Sequence, residues 1–233
     1  MRRHLNALSN DSYTNLRNNK TLLKYIYHQP LVLIGGGGHA LSLMEAMPDC
    51  LRPEGYTALG ANPKISLSWL GDDQTFRDTY GPEYAFMTCA FVYNGRPDLT
   101  IRRRIIDGFN GYRFAILKAS SATVTSSSSL GEGTQVLHRA VVNRASLGQH
   151  CIVNTGAVVE HDCRIGANVF IGPGAVIGGE VTLGDDVFIG LGACVRNGVE
   201  ICSGAIVGMG AVVTSDIKRP GIYVAHGKHL LRL

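Results

Sequence analysis

Three consecutive residues, Glu160-His161-Asp162, have the makings of an acid–base site. A neutral imidazole can take a proton from an attacking amine or hydroxyl near pH 7, and a carboxylate beside it can orient the ring or raise its basicity. Taken alone, the same residues could also be a solvated corner. A second candidate is the run Ile34-Gly-Gly-Gly-Gly-His39-Ala40, which fits G-x-G-x-x-A with Gly35, Gly37 and Ala40. Where a strand runs into such a loop and a helix follows, backbone N–H groups can cradle a phosphate. A dinucleotide site wants an acidic residue about 20 residues further on. The stretch from Gly55 to Gly60 has none, so NAD is disfavoured. His138, His150 and His161 raise the possibility of a zinc site of the γ-carbonic-anhydrase kind, and His226 and His229 could share one helical face. Neither set has convincing ligand spacing, and no metal is expected.

These groups need elements to hold them. Leu31-Val32-Leu33-Ile34 is a short apolar run before the four glycines and reads as a buried parallel strand. Apolar residues at helical spacing follow from His39 to Met47, so strand, turn and helix open a βαβ unit. Further strands are expected at 84–89, 90–93 and 114–117, and a helix at 99–108. The result is a small α/β domain over residues 29–118. It is preceded by a polar arm, 1–28, helical around Leu22–Tyr27, and followed by a Ser-rich linker at 119–129.

The second half obeys a different rule. Leu, Ile or Val stands at 147, 153, 159, 165, 171, 177, 183, 189, 195, 201, 207 and 213, always six apart. Val124, Leu130, Val136 and Val142 carry the same step upstream, with one residue missing between Val142 and Leu147. A small or β-branched residue lies four positions after each aliphatic. Two inward side chains per hexad, separated by turn residues, describe a strand that turns a corner every six residues. Three hexads close one triangular coil of a parallel β-helix, and roughly five coils fit in residues 119–218. The register sends Cys151 and Cys163 inward as small hydrophobes. It turns His161, two residues past the inward Val159, outward at or near a corner.

The repeat [LIV]-G-x-x-[AV]-x resembles that of left-handed β-helix acyltransferases. The segments I-G-G-G-G-H-A, S-A-T-V…L-G-E-G-T, V-N-T-G-A-V-V-E-H-D-C-R-I-G, I-G-P-G-A-V-I-G-G-E-V and V-G-M-G-A-V-V-T-S-D-I resemble one subgroup. These are the bacterial sugar acyltransferases that include the N-acetyltransferases of UDP-4-amino sugars and of GDP-perosamine, and the sialic-acid O-acetyltransferases. The resemblance runs from about Leu31 to Ile222. It implies acetyl-CoA-dependent transfer to the amino group of a nucleotide-linked 4-amino-4,6-dideoxy sugar, with His161 as general base supported by Asp162. It leaves transfer to a sugar hydroxyl, or of another acyl chain, as an alternative. It places Gly37, Gly38 and His39 against the nucleotide-sugar and Asn154 near the sugar amine. Gly179 is placed with its N–H on the thioester carbonyl, and Phe170, Leu191 and Met209 in the acyl-CoA region. It also implies a homotrimer.

The chain departs from that pattern in places. Phe170 stands where the family often has a second histidine, nine residues after the base. The family's acidic pair is missing near Thr57–Gly60, and Ala225-His-Gly-Lys-His229 replaces the usual G-x-P-A-K. Asn154 could equally be one rung of an asparagine ladder, and Gly179 a plain turn glycine.

Composition narrows the remaining classes. The net charge of +4 is too mild for a nucleic-acid surface, and its densest piece, Arg102-Arg103-Arg104, reads as a solvated helix face. No apolar run approaches the ~18 residues of a membrane span, and the N-terminus lacks a leader's apolar core. The six cysteines show no CxxC pairing, which fits a reducing, cytoplasmic setting.

Overall fold

The computed structural model describes residues 29–48, 51–226 and 229–232. The expected helix at 22–27, Cys50 and the side chains of His226 and His229 lie outside the described residues.

β1 (Leu31–Ile34) is fully buried along its length because both of its faces are covered. Leu31 and Leu33 pack with Ala40 and Leu43 of α1 (Gly38–Ala46). Val32 and Ile34 point the other way, toward Phe76 of α2 (Asp73–Thr79) and Ile106 of α3 (Thr100–Gly108). The remaining strands are β2 (Gly55–Thr57), β3 (Ser68–Trp69), β4 (Phe86–Cys89) and β5 (Arg113–Phe114). They form an all-parallel sheet in the order β3-β2-β1-β4-β5. The expected strand at 90–93 is absent. The backbone leaves the sheet at Ala90, where the chain turns to run over the solenoid.

From Leu117 onward two-residue strands alternate with corners, and three parallel sheets form the walls of a left-handed prism. Register is close to one coil per three hexads: Val158 pairs with Val176, Arg164 with Thr182 and Phe170 with Phe188. The stretch read as a linker is already solenoid, since Thr123–Val124 and Ser129–Leu130 pair with the next coil. The inward column is buried from Val136 onward, Val124 and Leu130 of the first coil being half-buried, and Cys151 and Cys163 lie in it as the register requires. The missing residue falls in one corner, 143–145, in the coil preceding that of His161.

The outward residues differ from wall to wall, and this decides what each wall does. One wall carries Ser129, Ser146, Arg164, Thr182 and Glu200, a polar row suited to water. A second carries Gln135, Ile152, Phe170, Phe188 and Ile206 and is covered by the N-terminal domain. The third carries Val141, Val158, Val176, Cys194 and Val212, and none of the described residues covers it; Val176 and Val212 are 40% and 59% exposed. The chain closes with a hairpin, Gly221–His226 and His229–Arg232, which extends the covered wall's sheet.

Arg102-Arg103-Arg104 is not a solvated face. Only Arg104 is exposed. Arg102 is 1% exposed; its Nε donates to Phe91 O at 3.0 Å, and its Nη1 to His150 O at 2.9 Å and to Asn168 Oδ1. Arg103 Nε pairs with Asp186 at 2.7 Å. Helix α3 is clamped between sheet and solenoid, so two of its three arginines become the bond between the domains.

Candidate active site

His161 sits in the corner between the uncovered apolar wall and the polar wall. Its Nδ1 lies 3.0 Å from Asp162 Oδ2. A carboxylate only accepts, so Nδ1 carries a proton, and in the neutral ring Nε2 keeps the lone pair. Asp162 is fixed from the other side by Arg144, whose Nη2 reaches Oδ1 at 2.7 Å and Oδ2 at 3.0 Å. Hydrogen bonding from Arg144, then from His161, holds the Asp162 carboxyl below its usual pKa. The shortened corner contributes here: Arg144 and Asp162 both take left-handed backbone, φ 51° and 61°, and Asp162 N–H donates to Arg144 O at 2.9 Å. Glu160 points sideways, accepting from Asn143 Nδ2 at 3.0 Å and from the His161 N–H at 3.2 Å.

Gly179 lies one coil on, directly under the His161 ring. A Cβ at Gly179 would stand 2.7 Å from both Cε1 and Nε2 of His161. Its carbonyl accepts from Gly198, while its N–H has no acceptor among the described residues. Base, orienting carboxylate and a free backbone donor therefore share one corner, an arrangement that suits proton removal beside a developing oxyanion.

The other candidates lie elsewhere in the chain. Asn154, Leu191 and Met209 line the opposite corner of the apolar wall, with Leu191 and Met209 45% and 75% exposed. Asn154 Oδ1 accepts from its neighbour Thr155 N–H at 2.7 Å. Phe170 is on the covered wall, stacked on Phe188 with centroids 4.7 Å apart and with Tyr93 edge-on. Its ring is 5% exposed, so its placement gives no support to a contact with the acyl donor. His138, His150 and His161 occupy three different corners. Among the described residues no group of His, Cys, Asp or Glu is arranged to hold a metal ion.

Gly37, Gly38 and His39 follow the carboxyl end of β1, where a sheet of this order leaves its crevice. The order β3-β2-β1-β4-β5 makes β1 and β4 the switch point, and ligands of such sheets bind beyond the carboxyl ends there. Gly35 (φ 108°) lets the first loop press against Ala90 and Phe91, where a Cβ would come within 3.2 Å. Gly36 is required because a Cβ would strike the Tyr56 ring at 2.7 Å. Gly37 and Gly38 face open space, and Gly37 caps α1 with no side chain on its amides. Two polar groups here escape a reading of the sequence. Asn62 Nδ2 donates to Gly36 O at 2.7 Å, and Asp73 accepts from Thr57 Oγ1 at 2.6 Å. A carboxylate thus stands at the end of β2, contributed by the start of α2, 16 residues away from Thr57.

Fold and corner define a hexapeptide-repeat acyltransferase. The description bacterial transferase hexapeptide (six repeats) matches residues 144–179, and hexapeptide repeat of succinyl-transferase matches 180–215. The acetyltransferase domain of PglB from Neisseria gonorrhoeae is 30% identical, with TM-score 0.78 over 88% of this chain and 100% of that one. PerB from Caulobacter crescentus, solved with CoA and GDP-perosamine, is 31% identical, with TM-score 0.75 over 88% and 98%. WeeI from Acinetobacter baumannii, at 19% identity and TM-score 0.71 over 87% and 100%, shares the fold. No curated protein sequence matches. The chain belongs to the family of left-handed β-helix, acetyl-CoA-dependent sugar N-acetyltransferases.

Proposed function

We propose that this enzyme transfers an acetyl group from acetyl-CoA to the amino group of a nucleotide-linked 4-amino-4,6-dideoxy sugar. The observation that carries the reading is the corner itself: His161 with Nε2 free, held by Asp162 and Arg144 above the open N–H of Gly179. The amine nitrogen attacks the thioester carbonyl as Nε2 takes its proton. The C–S bond breaks, and the thiolate leaves as CoA after collecting that proton. Gly179 N–H is the donor for the oxyanion, and Asp162 steadies the imidazolium. GDP-perosamine bound to PerB supports a nucleotide-sugar in the crevice of Gly37, Gly38 and His39.

One chain does not complete this site, because Asn154, Leu191 and Met209 are an edge away from His161. The uncovered wall of Val141, Val158, Val176 and Val212 is the surface by which copies would join, bringing one chain's His161 corner to another's Leu191 corner. We therefore propose a homotrimer. The five free cysteines among the described residues support the cytoplasm as the compartment. No described helix is long and apolar enough to cross a membrane.

The test is CoA release from acetyl-CoA with UDP-, GDP- and dTDP-linked 4-amino sugars, GDP-perosamine included. Activity on one of them is expected, and His161→Ala should lower kcat by roughly 10²–10⁴ with an unchanged melting temperature. A His161→Ala enzyme at the wild-type rate would remove His161 as base. Turnover only with a sugar hydroxyl would replace N-transfer by O-transfer.

A further inference from the structure

One of the polar side chains that the solenoid sends into the N-terminal domain reaches the carboxyl end of β4. Gln135 holds an outward position on the covered wall, in the row that continues with Ile152, Phe170 and Phe188, yet it is fully buried. Its Nε2 lies 2.8 Å from Cys89 O and 2.9 Å from Thr88 Oγ1, and its Oε1 lies 2.9 Å from His39 Nε2.

These contacts allow a single assignment of protons. A main-chain carbonyl only accepts, so the amide nitrogen of Gln135 faces Cys89 and its oxygen faces His39. An amide oxygen also only accepts, so His39 Nε2 carries a proton. A neutral imidazole has one N–H, which leaves Nδ1 with a lone pair. The ring is neutral near pH 7: burial lowers its pKa to about 4, the Gln135 hydrogen bond opposing and the charge of Arg102 adding to the fall. Nδ1 has no partner among the described residues. It belongs to the first turn of α1, beside the open space at Gly37 and Gly38.

We propose that Gln135 is a positioning residue that fixes His39 as its Nε2–H tautomer, so that Nδ1 accepts a hydrogen bond from a hydroxyl or N–H of the nucleotide-sugar. The ligand half rests on the crevice being the nucleotide-sugar site. An ionised phosphate oxygen offers only lone pairs, which an acceptor nitrogen repels. Phosphate falls instead to the uncapped amides at the start of α1, and the imidazole reads a neutral donor group. Specificity in the crevice is then divided between backbone for charge and His39 for a hydrogen-bond donor.

The experiment is nitrogen NMR of the full chain with labelled histidine, His39 being assigned by comparison with His39→Gln. In the free protein at pH 7, His39 should show a protonated Nε2 and an unprotonated Nδ1. A protonated Nδ1 at that pH would overturn the relay. The probes are UDP-N-acetylglucosamine, GDP-mannose and inorganic pyrophosphate. A nucleotide-sugar that binds should shift Nδ1 as an acceptor and leave Nε2 unmoved. Protonation of Nδ1 on adding pyrophosphate would overturn the acceptor role. In Gln135→Leu both tautomers should appear, and nucleotide-sugar binding should weaken roughly fivefold while pyrophosphate binding holds. If that variant does not fold, the wild-type spectra decide alone. Failure of both nucleotide-sugars to bind the wild type would overturn the ligand half together with the reading of the crevice. The free-protein spectrum, recorded separately, would still support or overturn the relay.

Discussion

Replacing Gly179 by alanine tests whether the ring above it is placed for catalysis. The backbone at Gly179 is outside the left-handed region, so alanine meets no conformational penalty there. The obstacle is the His161 ring, whose Cε1 and Nε2 would lie 2.7 Å and Cδ2 3.2 Å from the new methyl. Carbon contacts settle near ~3.5–4.0 Å, so the ring must retreat by about 1 Å. It can do so, being about half exposed at 48%. The retreat costs the 3.0 Å bond to Asp162, about 1 kcal/mol, and carries Nε2 away from the Gly179 N–H. A displacement of about 1 Å at a reacting group can cost on the order of 10² in rate. We therefore expect kcat to fall roughly 10²-fold, with a melting temperature within about 2–4 °C of wild type. Stopped-time CoA release on the accepted amino-sugar nucleotide and a thermal melt read the two effects. A kcat within roughly threefold of wild type would refute the placement.

The other expectations concern stability, pH and assembly. Arg102→Ala leaves Phe91 O, His150 O and Asn168 without their donor and should destabilise by about 2–4 kcal/mol in denaturant melts, whereas exposed Arg104→Ala should stay within about 0.5 kcal/mol. His39 and His150 are both held to about pH 4, mainly by burial, with Arg102 adding in each case. The unfolded chain binds protons that the folded one refuses between their ordinary value near ~6.5 and about 4. Stability should therefore be full above that window and fall as pH drops through it, a slope that His39→Gln should reduce in melts taken from pH 7 to 4. Val176→Asp on the uncovered wall should shift light scattering from trimer to monomer and lower kcat, since the proposed site spans two copies; a monomeric wild type would contradict the assembly.

The hexad period settled the solenoid, the inward seats of Cys151 and Cys163, and the outward turn of His161 before any coordinates. The reason is that each coil touches only its neighbours, so sequence separation translates directly into contact. The same logic puts Gly179 18 residues from His161 and so beneath it. The apolar row from Val141 to Val212 was readable in the position before each inward aliphatic. The strand, glycine turn and helix of residues 31–46 were legible because burial on both faces leaves an unbroken apolar run. No period links the two domains, and there the sequence was silent. Arg102 read as solvent-facing because nothing local tells a helix that a solenoid will cover it. Gln135 takes an outward hexad position, and nothing in the period tells that it fills the gap between Cys89 and His39. Only the tertiary structure could assign those contacts, since a buried polar group is satisfied by whatever the fold brings near, at separations of 46 to 96 residues.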